Sequence, residues 1–149
     1  AVAEEAMRRF RAEIAAGMAG AENHSPLARY HALGRAYLAW AMRNPTHFEV
    51  ISARRLIDFD ASEPLVRLNA ETRSLMTALL GAAERAGELR APDVEVETLL
   101  GRAFVYGLAR MWTDGHFVQW GGEAAAPQLM AAALAHLVAL MAADPRGLA

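Results

Sequence analysis

From Leu129 to Ala143 the chain reads LMAAALAHLVALMAA, an apolar run broken only by His136. Alanine and leucine at this density favour a helix. Wound at about 3.6 residues per turn, it has no polar side. Met130, Leu134, Leu137 and Met141 share one face, and Leu129, Ala133, His136 and Leu140 the adjacent one; Ala131, Ala135 and Val138 take a third. A helix apolar all round has to be buried all round. A bilayer could do this, but spanning takes about 20 apolar residues. This run is shorter and rich in alanine, so no membrane is expected. A small domain cannot easily enclose one of its own helices on every side, so the cover expected is a second copy of the chain.

The preceding apolar stretch has the same breadth. Leu100, Phe104, Gly107 and Met111 form one face, and Val105, Leu108 and Trp112 another. Ala103, Gly107 and Ala109 would let another helix approach closely. Two such helices from each of two chains make an isologous four-helix contact, and so a homodimer. The contact residues expected are Ala103, Tyr106, Gly107, Ala131, Ala135 and Val138.

The rest of the chain is punctuated at helical spacing, and no stretch alternates as a half-buried strand would. A first helix spans about Val2–Ala19 and stops near Gly20. Ser25-Pro26 reads as an N-cap followed by proline at the first helical position, opening a second helix that runs to about Arg43. Asn44-Pro45 repeats that grammar and opens a short third helix, about Pro45–Leu56. A loop follows, with Ser62 as the cap of a fourth helix that runs to about Ala86, where Gly87 is the natural stop. Asp93 caps a fifth helix, about Val94–Thr113. The loop Asp114–Gly122 leads to the sixth, about Ala126–Ala143. The fold class expected is therefore all-α, with residues 1–149 forming one domain.

Composition excludes several functions. Hydrophobic residues are 54% and charged residues 21% of the chain, which argues against disorder. The net charge is −2 and no basic stripe is present, so this chain is not expected to bind DNA by itself. Arg8, Arg9 and Arg11 are its densest basic cluster, and Glu4, Glu5 and Glu13 flank them. The absence of cysteine fits a reducing, cytoplasmic location. The chain begins with Ala1 and shows no charged-then-apolar leader; a further segment ahead of Ala1 is expected.

Chemistry is poorly supported. No two histidines sit three or four apart on one helix, so neither a metal site nor any other cofactor is expected. His24 and His31 read as surface residues beside a helix start, and His136 as a core or interface histidine. Asp114-Gly115-His116 sets an acid beside an imidazole, but no nucleophile or oxyanion site accompanies it, and Asp-Gly is an ordinary turn pair. An enzyme is therefore the least favoured reading.

The aromatic residues say more. Tyr30, Tyr37 and Trp40 lie along one face of the second helix, Phe48 and Ile51 follow on the third, and Phe104 and Met111 on the fifth. Thr72 sits within the apolar stripe Leu65, Leu68, Leu75, Met76, Leu79 and Ala83 of the fourth helix. Large flat or flexible side chains around a proline corner suit an apolar cavity with a few polar groups. The break at Asn44-Pro45 would turn the third helix across that cavity as a wall or lid. The ligand-contacting residues expected are Tyr37, Trp40, Phe48, Ile51, Thr72, Met76 and Phe104, between the second, third, fourth and fifth helices. Tyr106 and His47 are further polar candidates, although a first-turn surface position suits His47 better. The occupant expected is a small apolar or aromatic effector.

Six helices of these lengths in this order resemble the C-terminal ligand-binding and dimerisation domain of tetracycline-repressor (TetR) family transcription regulators. YLAWAMRNPTHFEVI (Tyr37–Ile51) is similar to the family's junction between the second and third helices of that domain. AAERAGELRAPDVEVETLLGRAFVYGLARM (Ala82–Met111) resembles its turn between the fourth and fifth. One subgroup is named for a Trp, His and Gly in the fifth helix. Here Gly107 matches, Tyr106 stands at the His position and Arg102 at the Trp position. The resemblance implies a ligand-responsive regulator, for instance a repressor. It also implies a three-helix DNA-binding domain, not contained in this chain, ahead of a connecting helix Val2–Ala19, with DNA reached only through that domain. The alternative is an all-helical dimeric interaction module without a ligand.

Overall fold

The computed structural model describes residues 2–54, 57–91 and 93–148. Six α-helices follow in order: α1 (Val2–Met18), α2 (Pro26–Arg43), α3 (Pro45–Ser52), α4 (Glu63–Arg85), α5 (Val94–Thr113) and α6 (Ala126–Met141). Short 3₁₀ turns at His116–Val118 and Glu123–Ala125 sit between α5 and α6, and another, Pro145–Leu148, follows α6. The described residues form no strand, only one isolated antiparallel bridge between Leu89 and Ala142.

The helix ends follow from their residues. Ser25 accepts a hydrogen bond from the Ala28 N–H at 3.3 Å, and Asp93 accepts one from the Val96 N–H at 3.1 Å. Gly87 takes φ +72°, a left-handed value that suits glycine. Behind it, the Gly87 and Glu88 N–H groups donate back to Glu84 and Ala83, closing α4 with two bonds. Ser62 stands at the start of α4 but makes no side-chain cap bond; its hydroxyl donates to Glu4 at 2.9 Å instead. Glu88 accepts from the Leu27 N–H at 2.7 Å, so the turn after α4 caps the start of α2.

α1 and α4 end one residue before the expected position, and two helices end earlier by more than that. α3 stops at Ser52, and Leu56, the end expected for it, lies outside the described residues. α6 stops at Met141 because Ala142 turns to extended backbone. There Arg90 donates to the Met141 carbonyl and Ala143 to that of Glu88, which stitches the end of α6 to the turn before α5.

α2 is the hub, packing on α1, α3, α4, α5 and α6. The stretch Glu123–Met141 is long and apolar enough, by length and composition, to cross a bilayer, with a mean hydropathy of 1.6. This corrects the expectation that the run is too short, which counts only from Leu129 and leaves out the turn before it. In the fold, Met130, Leu134, Leu137, Val138 and Met141 carry one side of this helix into the core. Leu129 and Leu140 stay exposed, at 46% and 55%.

Candidate functional site

A cleft of about 370 Å³ lies among the helices. Four of the expected contacts line it: Tyr37 from α2, Ile51 from α3, and Thr72 and Met76 from α4. The walls extend further than expected. α1 adds Met7 and Phe10, and α6 adds Leu134 and Leu137. α2 adds Tyr30, Leu33 and Gly34; α5 adds Gly101, Arg102, Val105 and Tyr106, with Leu99 and Ala103. Asn69, Thr72, Met76, Leu99 and Arg102 also line a groove between α4 and α5 that is continuous with the cleft.

Three expected contacts stand elsewhere. Trp40 and Phe48 are 1% and 0% exposed and lie behind the cleft rather than in its wall. The Trp40 ring sits 4.8 Å from that of Phe10 and 6.5 Å from that of Phe48. Phe10, which does line the cleft, is thus a ring contact of Trp40, while Phe48 packs against Tyr37 at 6.4 Å and Tyr106 at 5.9 Å. Phe104 is two positions from both Arg102 and Tyr106, which puts it more than half a turn round α5; it is partly buried against the core and does not line the cleft.

The Asn44-Pro45 corner is held in one place. Asn44 donates to the Trp40 carbonyl through its backbone N–H at 2.9 Å and through its side-chain amide at 3.0 Å. Pro45 has no N–H to continue α2. The chain therefore turns, and α3 delivers Phe48 to the core and Ile51 and Ser52 to the cleft.

The polar groups are concentrated on α5 and the residues that face it. Arg102 donates from Nη1 to the Tyr37 hydroxyl at 3.0 Å. Its guanidinium carbon lies 5.5 Å from the Tyr37 ring centre and 5.2 Å from that of Tyr106. Burial pushes the Tyr37 hydroxyl above its ordinary pKa, with Arg102 opposing that shift. The Tyr30 hydroxyl is pushed up to about 12 by burial, with a smaller contribution from Glu97. Tyr30 lies tightly against α5: a Cβ on Gly101 would stand 1.7 Å from its hydroxyl oxygen. The Thr72 hydroxyl donates to the Leu68 carbonyl at 3.0 Å, and the residue also lines the cleft. Arg54 stacks over Phe59 at 3.5 Å and pairs with Asp60 at 3.4 Å.

Sequence reasoning did not single out Gly101 or the α1 contacts Met7 and Phe10. It met Arg102 only as a departure from the subgroup motif. The available signal was the placing of Arg102 four residues before Tyr106, on the same face of a mostly apolar helix.

The expected contact residues between copies also divide. Ala131 and Ala135 are exposed on α6, and Gly107 faces open space. Ala103 and Tyr106 line the cleft. Val138 is 1% exposed within its own protomer, because it falls on the side of α6 turned to the core, and so is corrected from a contact residue to a core residue.

The histidines lie outside the cleft. His47 is half-buried on α3, and His136 is exposed on α6. His31, expected at the surface, is half-buried, and its Nε2 is buried without a hydrogen-bond partner among the described residues. No group of three or more metal-ligating side chains occurs among the described residues.

Residues 30–137 match the family model described as "Tetracyclin repressor-like, C-terminal domain". Among solved structures, a protein with unknown function from Rhodococcus sp. RHA1 superposes with a TM-score of 0.77 at 20% identity, over 95% of this chain and 71% of that one. That likeness concerns the fold. No curated protein matches the sequence.

Proposed function

This chain belongs to the tetracyclin repressor-like C-terminal domain family, and from that premise we propose that it senses a small effector and dimerises on behalf of a transcription regulator. The observation that carries the reading is the cleft of about 370 Å³, which falls in the size range of small-molecule sites, about 300–1,000 Å³. Its walls are mostly aliphatic and aromatic, so the effector has a largely apolar body. Met7 and Phe10 of α1 reach the cleft, which makes α1 the natural route to a DNA-binding domain joined ahead of it. Effector binding shifts that domain only in so far as the effector favours one arrangement of α1 over another, typically by about 1–3 kcal/mol. Gly107 is the one residue that supports the Trp-His-Gly subgroup.

The protein works as a homodimer in this reading. Support comes from the apolar side chains that one protomer leaves in water. On α5 these include Val96, Leu99 and Leu100, at 57%, 71% and 45% exposure. On α6 they include Leu129 and Leu140, beside the exposed Ala131 and Ala135. DNA is contacted only through the attached domain, and the protein acts in the cytoplasm.

A thermal-shift screen with small apolar and aromatic compounds tests the sensing role. Hits that raise the melting temperature in a concentration-dependent way are expected. If a broad screen gives none, the ligand-free interaction module becomes the better account, since the apolar α5–α6 surface serves either function.

A further inference from the structure

The walls of the cleft are apolar, but their charge is one-sided. No aspartate or glutamate is among the residues that line the cleft itself, whereas Arg102 and Arg54 are; in the adjoining groove Glu95 and Arg73 both stand among the lining residues with Arg102. Arg54 already has Asp60 at 3.4 Å. Arg102 has no carboxylate within ion-pair distance among the described residues; its one side-chain hydrogen bond goes to the neutral Tyr37 hydroxyl. A guanidinium carries five N–H donors and stays charged at any physiological pH.

The groups around it are donors too. The Tyr37 oxygen accepts from Arg102, which leaves its own proton free to donate; a phenol keeps that proton at neutral pH, and burial raises its pKa further. Asn69 and Thr72 line both the cleft and the adjoining groove beside Arg102. The Thr72 proton is committed to Leu68, but the Asn69 amide supplies two further donors. A cationic fork and a phenol proton in the wall of an apolar space, Arg102 being shared between the cleft and the groove, match a planar anion that accepts two hydrogen bonds side by side.

We infer that the effector is an amphipathic monocarboxylate, whose carboxylate is held by Arg102 and the Tyr37 hydroxyl while its apolar body fills the space between Met7, Leu33, Met76 and Leu134. The inference rests on the sensing role proposed above and narrows its effector from apolar to anionic and apolar. Tyr37 and Tyr106 flank the guanidinium carbon, at 5.5 and 5.2 Å from their ring centres. Arg102 is exposed to solvent as a residue, and it is these two rings together with the Tyr37 hydroxyl that restrict its guanidinium, so less freedom is lost when an anion binds.

The test uses two matched probe sets, with affinities measured by titration calorimetry on the wild-type chain and on Arg102→Met. One set is octanoate, decanoate and 4-phenylbutyrate; the other is the corresponding primary amides and alcohols. The carboxylates are expected to bind the wild type at least tenfold more tightly than their neutral counterparts. Arg102→Met should erase that preference, and Arg102→Lys should restore part of it. Circular dichroism and melting temperature check that each variant is folded. If neutral and anionic probes bind alike and Arg102→Met changes neither, the carboxylate assignment is wrong while the sensing cleft stands. If neither set binds and no probe shifts the melting temperature, the cleft is not a sensing site and the assignment falls with it.

Discussion

The α2–α3 corner and the cleft beside it draw on the same kinds of side chain and end in opposite states. At the corner, Trp40 and Phe48 are 1% and 0% exposed, with edge-to-face ring contacts on Phe10 and Tyr37. A few ångströms away, Met7, Leu33, Met76 and Leu134 bound about 370 Å³ of space. Residue type does not separate the two regions. Backbone placement does. At the corner, Asn44 clamps α2 to the start of α3, so that two large rings from adjacent helices must meet. Along the cleft, the missing Cβ of Gly101 lets Tyr30 lie against α5.

The largest effect should come from truncating the filled region. Trp40→Ala is expected to cost about 3–5 kcal/mol in urea denaturation. Met76→Ala, at a wall already facing space, should fall below the usual range for Met→Ala, at about 1 kcal/mol. Equal losses would mean that both regions are packed alike. The converse experiment adds volume. Ala41 is 0% exposed, so Ala41→Leu should destabilise by about 1–3 kcal/mol. Thr72→Trp, directed into the cleft, should leave stability within about 1 kcal/mol of the wild type, a sharper contrast because its added volume is larger.

The proposed dimerisation should separate the two sides of α6 in the same way. Ala135→Glu puts a charge on the exposed apolar side and should weaken the dimer at least tenfold by sedimentation equilibrium, or about 1.4 kcal/mol. Val138→Ala, on the core side, should lower stability while leaving dimer affinity unchanged. An effect of Val138→Ala on association but not on stability would reverse the assignment.

The smallest effect concerns His31. Burial holds its pKa below the ordinary value, and Arg35 adds to that shift. The folded state therefore binds a proton less readily than the unfolded state. The contribution to stability is complete above the unfolded pKa of about 6.5 and is lost as the pH falls through the lower folded value. His31→Gln should flatten this part of the acid limb between pH 7 and pH 5 in a series of denaturation curves. An unchanged slope would mean that His31 is solvated.

These contrasts also explain how far the sequence can be read. The helices were legible because their ends depend on local grammar: Ser25-Pro26, Asn44-Pro45, Asp93 and Gly87 act within a few residues of themselves. Four cleft residues, Tyr37, Ile51, Thr72 and Met76, were legible from helical faces that converge at the corner. Trp40 and Phe48 could not be told from them, because whether an aromatic side chain fills a core or bounds a cavity depends on distances between helices. Gly101 is a case of the same kind, since its role exists only through Tyr30, 71 positions earlier on α2. Val138 was assigned to the contact between copies because α6 is apolar all round, which conceals the side turned to its own core.

The central claim is that the space beside the corner is a binding site. Its most direct test is a titration with 1-anilinonaphthalene-8-sulfonate, an aromatic anion that brightens in apolar surroundings, on the wild type and on Thr72→Trp. The account expects saturable binding of one dye per protomer in the wild type, reduced at least tenfold when Trp occupies the cleft. Identical dye binding in the two proteins, or a signal that never saturates, would place the dye on the outer surface and contradict the account.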